Sequence, residues 1–405
     1  MARFGNLAAG STLRLTVQAT ALTHLNIWDG QKHLDADCIV LMDGRIAHVG
    51  AAADAPAGAT VIACQGATAL PGLTDAHVHM ELDPNHRQAP KETDLGQRPH
   101  MEERAKAMVC AGITTARDLG GGAWLELALR DRINAGETPG PRLLCAGQPI
   151  TSPRGHCHFW GGEAEDAAAA RTVIDRQVAH GVDLIKVMAT GGTMTAGTTP
   201  MDAQFDLETL RAIVGAAAEH DLPVAAHCHG TAGIDFAAQA GVRTIEHCSW
   251  VGPQGWASDY NEEVALRILE RGVWVSPTVN RGWQRMLDAK DPTRLHRLRH
   301  AYGRLWDLGV PFVASTDAGI PGVFHHHLPE ALNVFAKIAA LTPSQTLQTA
   351  TSGAARALGL EQITGRLAEG FAADVLLVDG DPTVALDALT RPVGVWARGV
   401  PVVMP

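Results

Sequence analysis

Between residues 71 and 366, short β-rich runs alternate with longer Ala-rich stretches of helical period, and that rhythm restricts the chain to parallel βα units. Eight runs are legible: LTDAHVH (73–79), ITTARDL (113–119), RLLCAG (142–147), LIKVMAT (184–190), PVAAHCH (223–229), TIEHC (244–248), WVSPTV (274–279) and FVASTD (312–317). Eight parallel strands suit closure into a (β/α)8 TIM barrel. The stretches between them, such as EDAAAARTVIDRQVAHG and DLETLRAIVGAAAEHD, place apolar residues at helical spacing and are expected to form the outer ring.

The flanks read differently. From about residue 12 to 70 the pattern is short strands and turns, with hairpin signals at Asp29-Gly30 and Asp43-Gly44. After Gly365 the chain returns to that style in RLAEGFAADVLLVDGDP and GVWARGVPVVMP. Chain termini tend to lie close together, so the ends are expected to form one small β-sandwich domain; two independent β-caps are the alternative. The expected division is 1–70, 71–366 and 367–405, and a length of 405 residues fits one large domain with a satellite.

Composition removes several function classes. With 46% hydrophobic and 19% charged residues the chain is globular rather than disordered, and a soluble, compact protein is expected. A formal charge of −10 offers no basic footprint for nucleic acid, so the expected partner is a small molecule. No apolar run reaches membrane-spanning length and the start lacks a secretory pattern, which points to no membrane and a cytoplasmic location. The seven cysteines are odd in number and scattered, unlike a disulfide framework, and are expected to be reduced and structural. Nineteen histidines against two tyrosines hint at metal or proton chemistry.

The histidines cluster where barrel chemistry sits. His77 and His79 straddle Val78 at the end of the first run, and period two turns both imidazoles to one face. Alone, the pair also suits two hydrogen-bonded core histidines. His227 closes the fifth run, His247 the sixth and Asp317 the eighth, all at the carboxyl ends where barrel active sites lie. Four histidines and a carboxylate suit Zn²⁺ or a similar ion. Lys186 lies inside the fourth run, where a free ammonium is costly to bury.

The pieces PGLTDAHVH, GITTARDLGG, DLIKVMATGG, PVAAHCHG, TIEHC, ASTDAG, ATSGAARALGL and GFAADVLLVDGDP, in this order, resemble the metal-dependent amidohydrolase superfamily. The likeness spans nearly the whole chain and is closest to the branch of binuclear prolidase-like (Xaa-Pro) dipeptidases and ochratoxinase-like hydrolases. It implies two divalent ions, most simply Zn²⁺, with Lys186 carboxylated to N6-carboxylysine and bridging them. His77, His79 and Asp317 would hold the more buried ion, and His227 and His247 the more exposed one. A hydroxide between ions about 3.5–4 Å apart would attack a polarised carbonyl, while Asp317 moves its proton to the leaving amine. Relatives are commonly homo-oligomers.

For substrate contacts the resemblance points to His229, which shares a face with His227. The loop TSPRGHCHFWGGEAE offers Arg154, His156 and His158, of which His156 is preferred for gripping a carboxylate. His325, His326 and His327 read as loop residues at the rim. Arg117 and Asp118 read as a local ion pair, and Cys228 and Cys248 as structural. The expected reaction is cleavage of an amide or peptide bond in a small carboxylate-bearing substrate, a dipeptide or an N-acyl amino acid. The alternatives are a cyclic amidohydrolase or deaminase of the imidazolonepropionase type, and a carbamate or ester hydrolase on the same metals.

Overall fold

The structure, a computed structural model, describes residues 19–86 and 95–404; the first strand-like stretch before residue 19 and Pro405 lie outside these. The chain opens with strands β1 (Thr20–Thr23), β2 (Asn26–Ile27), β3 (Cys38–Met42), β4 (Arg45–Gly50), β5 (Thr60–Ala63) and β6 (Thr68–Pro71). One sheet has the order β4-β3-β1-β5. Its β3–β4 hairpin turns through Asp43 and Gly44, whose φ values of 52° and 73° are the left-handed pair that a two-residue turn of matching twist demands. The Asp-Gly signal is used there as expected.

The parallel strands follow: β7 (Leu73–Val78), β8 (Ile113–Asp118), β9 (Arg142–Cys145), β10 (Ile185–Met188), β11 (Val224–Gly230), β12 (Thr244–Val251) and β13 (Trp274–Ser276). They make two arcs, β7-β8-β9 and β10-β11-β12-β13, every neighbouring pair parallel. A closed eight-stranded ladder, expected from the sequence, is not formed among the described residues. The eighth run joins its neighbours through single bridges, Phe312 to Val275 and Ala318 to Val78, and isolated backbone bonds such as the Ala76 amide to the Ala314 carbonyl (3.1 Å), and the arcs meet at Ile150–Val187. Side chains intercept the ladder at that seam. The Thr316 amide donates to Asp75 Oδ1 (3.1 Å) and the Thr278 amide to Ser315 Oγ (3.0 Å), so neither takes a strand partner.

Helices α1 (Arg98–Cys110), α2 (Leu125–Asn134), α3 (Ala167–His180), α4 (Leu207–Ala218), α5 (Thr231–Ala240) and α6 (Glu262–Glu270) each follow a parallel strand. Asp166, Asp206 and Asn261 accept the first free amides of α3, α4 and α6, and left-handed Gly181 and Gly241 stop α3 and α5. The buried faces of α4, α5 and α6 bring Ile213, Ile234 and Ile268 into one core with Val187, Ala226 and Ile245 of the strands. Two further helices, α7 (Gln284–Leu287) and α8 (Thr293–Leu308), fill the connection to the eighth run.

The chain ends meet. Strands β14 (Val375–Val378), β15 (Pro392–Ala397) and β16 (Val400–Val403) join β6 and β2 in a sheet of order β16-β15-β14-β6-β2, with β14 antiparallel to β6. Leu22 and Ile39 from the first sheet share an apolar cluster with Val375, Leu377 and Trp396 from this one. The β14–β6 pairing and this shared cluster tie the two ends of the chain together. All seven cysteines are free, and six are buried. Among the described residues no helix is long and apolar enough to cross a membrane.

Candidate active site

The site lies at the carboxyl ends of the parallel strands. His77 Nε2, His79 Nε2 and Asp317 Oδ1 converge there, with separations of 3.3 Å between the two imidazoles and of 3.3 and 3.4 Å from each to the carboxylate. What each ring does on its other side fixes what it offers. His77 Nδ1 donates to Glu246 Oε2 at 3.0 Å and His79 Nδ1 to the Gly120 carbonyl at 2.9 Å. In neutral rings both Nε2 lone pairs then face the Asp317 carboxylate, an arrangement of acceptors that calls for a cation or a proton between them.

The electrostatics distinguish the two histidines. Burial, helped by Lys186, holds His77 down at about 4, so its Nε2 stays unprotonated at neutral pH. For His79 burial pulls down but the Asp317 carboxylate pulls harder, raising its pKa, and one proton can be held there. Burial alone would raise Asp317, yet His77 and His79 hold it well below the usual carboxylate range. A tetrahedral ion with bonds of about 2.0–2.1 Å has ligand–ligand edges of about 3.3–3.4 Å, so the donor set fits one divalent cation.

A second group adjoins it. His227, His229 and His247 each offer a ring nitrogen within 4.8 Å of the others, and His247 belongs equally to a group with His77 and Asp317. Their outer nitrogens are engaged too: His227 with the Gly191 carbonyl at 3.2 Å, His229 with Ser249 Oγ at 2.7 Å, and His247 with Thr278 Oγ1 at 2.8 Å. Such partners orient rings toward a shared centre. Lys186 lies on β10, only 1% exposed, and lines an inner cavity of about 30 Å³ with His77, His79, His227, His247 and Asp317. Burial lowers its pKa, and among the described residues its amine makes no ion pair or hydrogen bond. A lowered pKa favours the free-base amine, the form that reacts with carbon dioxide.

All six expected metal-site residues therefore border one cavity. The expected substrate residues divide. His229 and His156 line an outer chamber of about 180 Å³, burial pushing His229 to about 3 and His156 to about 4. Arg154 is exposed, and His158 sits half-buried beside Phe159; neither lines the inner cavity or the chamber. His325 is buried against the His79 carbonyl at 3.0 Å, while His326 is exposed.

Several residues have roles that the sequence did not reveal. Arg117, read there as a partner of Asp118, instead donates to Glu246 Oε1 at 2.7 Å, to the Ala76 carbonyl at 2.7 Å and to Thr244 Oγ1 at 3.0 Å. Glu246, the carboxylate behind His77, was legible only as a lone acid in the apolar run TIEHC. Burial would raise it, but Arg117 and His77 hold it low. Trp256 and Arg294, both lining the outer chamber, come from loop and helix positions that carry no motif. His247, Thr278 and Asp317 sit at left-handed φ values of 67°, 55° and 60°, strain of about 1–3 kcal/mol each that concentrates at functional centres.

Comparison with known proteins places this geometry. The amidohydrolase family model matches residues 68–403. An ochratoxinase from Aspergillus niger is 28% identical over 417 residues, covering 92% of this chain and 83% of its own length. An imidazolonepropionase from Deinococcus deserti is 27% identical over 378 residues, 85% of each chain. In fold, the structure of a Xaa-Pro dipeptidase with methionine bound in the active site superimposes with a TM-score of 0.82 at 24% identity, over 95% of this chain and 99% of that one.

Proposed function

The chain belongs to the amidohydrolase family and is a hydrolytic enzyme; on that premise we propose that it cleaves the amide bond of a small carboxylate-bearing substrate, a dipeptide or an N-acyl amino acid. The observation that carries this reading is the convergence of His77 Nε2, His79 Nε2 and Asp317 Oδ1 within 3.3–3.4 Å, beside a buried, unpaired Lys186. His77, His79 and Asp317 would hold one divalent ion and His227 and His247 a second, most simply Zn²⁺, with carboxylated Lys186 contacting both. When bound, the ions supply an ionised water near neutral pH and polarise the scissile carbonyl.

The chain's own residues do the rest. Asp317 takes the nucleophile's proton on a carboxylate oxygen and delivers it to the leaving amine. His229 and His156, neutral and buried, orient the substrate by hydrogen bonds. Glu246 keeps the Nδ1 proton on His77. The two parallel arcs are read as parts of one eight-stranded barrel over residues 71–366, with segments 1–70 and 367–405 as its β-sandwich satellite; the single bridges at both seams support that. The free, scattered cysteines suit a cytoplasmic enzyme, and by family likeness it is a homo-oligomer.

The test is a library of dipeptides and N-acyl amino acids, incubated with metal-loaded protein grown with bicarbonate. Cleavage of at least one class is expected. The second reading, opening of a cyclic amide, is favoured by the imidazolonepropionase relative. Cleavage of cyclic amides alone, with close to one metal per chain, would establish it instead.

A further inference from the structure

The inner cavity and the outer chamber contain one side chain each that is cationic by nature. Lys186 is committed to the inner cavity; Arg294, in the first turn of α8, belongs to the chamber. Its guanidinium carbon stands 5.0 Å from the centre of the Trp256 ring, a cation–π seat. Among the described residues no carboxylate pairs with it. An arginine seated over an aromatic ring and without a counter-ion is prepared for an anion that arrives from outside. Partial burial lowers its pKa, the mark of a cation that has given up some water without gaining a partner.

Trp256 continues inward. Its ring meets the His229 ring edge-on at 4.9 Å, and His229 in turn stacks at 4.5 Å on His247. Arg294, Trp256 and His229 thus form one continuous wall of the chamber that leads to His247. Arg294 lines the same chamber of about 180 Å³ as His247 and Asp317, so a substrate with its scissile carbonyl at the inner cavity places its terminal carboxylate, one residue or about 3.6 Å further on, within that chamber. Of the other polar residues lining the chamber, Thr193, Ser249, Thr278 and Asn280 are uncharged, and its carboxylate, Asp317, faces His77 and His79.

We infer that Arg294, seated on Trp256, is the carboxylate-binding residue of the outer chamber, so that the enzyme selects substrates by a free carboxylate lying beyond Trp256. This deepens the proposed function and rests on it. Neither Arg154 nor His158 takes the role, because neither lines the chamber. The aromatic wall adds a second requirement: the portion of substrate between the scissile bond and the carboxylate packs against Trp256 and favours an apolar side chain.

The experiment compares N-acetyl-methionine, N-acetyl-leucine and N-acetyl-phenylalanine with their carboxamides, on wild-type protein and on R294Q and R294K. Wild type should prefer each acid. In R294Q, KM for the acids should rise about 10- to 100-fold, the worth of a charge-assisted contact, with kcat within about threefold and the carboxamides unaffected; R294K should recover part of the loss. Unchanged melting temperature and metal content exclude a folding artefact. Wild type that cleaves acids and carboxamides equally, or R294Q that keeps the acid preference, overturns the inference while leaving amide hydrolysis intact. If wild type cleaves neither set, the proposed reaction is what fails. Titration calorimetry of free methionine and methioninamide then decides about Arg294: acid-selective binding abolished in R294Q upholds it, and binding that ignores the carboxylate or survives in R294Q overturns it.

Discussion

The carboxylate of Glu246 receives the Nδ1 proton of His77 on one oxygen and Arg117 on the other, so it decides which nitrogen His77 turns toward the inner cavity. Glu246→Gln can satisfy only one of these partners, and the expected result is a 10- to 100-fold weaker metal affinity by competition with a chelator, with an unchanged circular dichroism spectrum. An affinity equal to wild type would remove Glu246 from the account. Asp317 carries two duties, and Asp317→Asn should separate them: turnover falling 10²- to 10⁴-fold, with metal content falling far less. Equal loss of both would contradict that division. Glu126 behaves otherwise. It is fully buried, neither carboxyl oxygen has a hydrogen bond of good geometry among the described residues, and burial with nearby Asp118 pushes its pKa well up. A raised pKa contributes stability below the unfolded value of about 4.3 and loses it as pH rises, so Glu126→Gln should gain on wild type as pH climbs from about 4 toward neutrality. Urea melts at several pH values measure this; a gap that narrows with rising pH would refute it.

At the level of strands and helices, α8 is held to β12 by Tyr302, whose hydroxyl donates to the His247 carbonyl at 3.0 Å. That carbonyl belongs to a left-handed residue, and the phenol supplies it with a partner. Tyr302→Phe is expected to destabilise by about 1–3 kcal/mol in denaturant melts, the cost of a buried unpaired carbonyl; no change would mean that the bond is incidental. The run 312–317 shows where sequence pattern stops informing. Its apolar, β-branched composition reads as a strand, yet it makes single bridges and scattered backbone bonds rather than a continuous ladder, because Asp75 and Ser315 offer side-chain oxygens where strand partners would bond. Period-two reasoning describes backbone ladders and is blind to such substitutions. It succeeded for β7, β11 and β12, which carry His77, His227 and His247 in strands despite register shifts in the β7–β8 and β11–β12 pairs, and there position in the strand told which side chains share a face.

Across the molecule, the alternation of runs, the paired β-rich ends and His77, His79, His227, His247 and Asp317 were legible because each follows from local pattern plus one topological rule, whereas the role of Lys186 came only from the family resemblance. The outer chamber was not. Trp256 lies in a loop after β12 and Arg294 on α8, nearly forty residues apart, and only the packing of α8 against β12 brings them together. Loop residues named from the sequence, Arg154 and His158, fell outside the chamber for the same reason: a loop's composition does not give its path. Bound ions should tie β7, β11 and β12 together, so stripping metal with a chelator is expected to lower the melting temperature by several degrees and reloading to restore it. The most direct check measures metal content and the side chain at position 186 in one sample, from cells fed ¹³C-bicarbonate. Two divalent ions per chain and a carbamate ¹³C resonance absent from Lys186→Met are expected; one ion per chain beside an unmodified lysine would contradict the binuclear account.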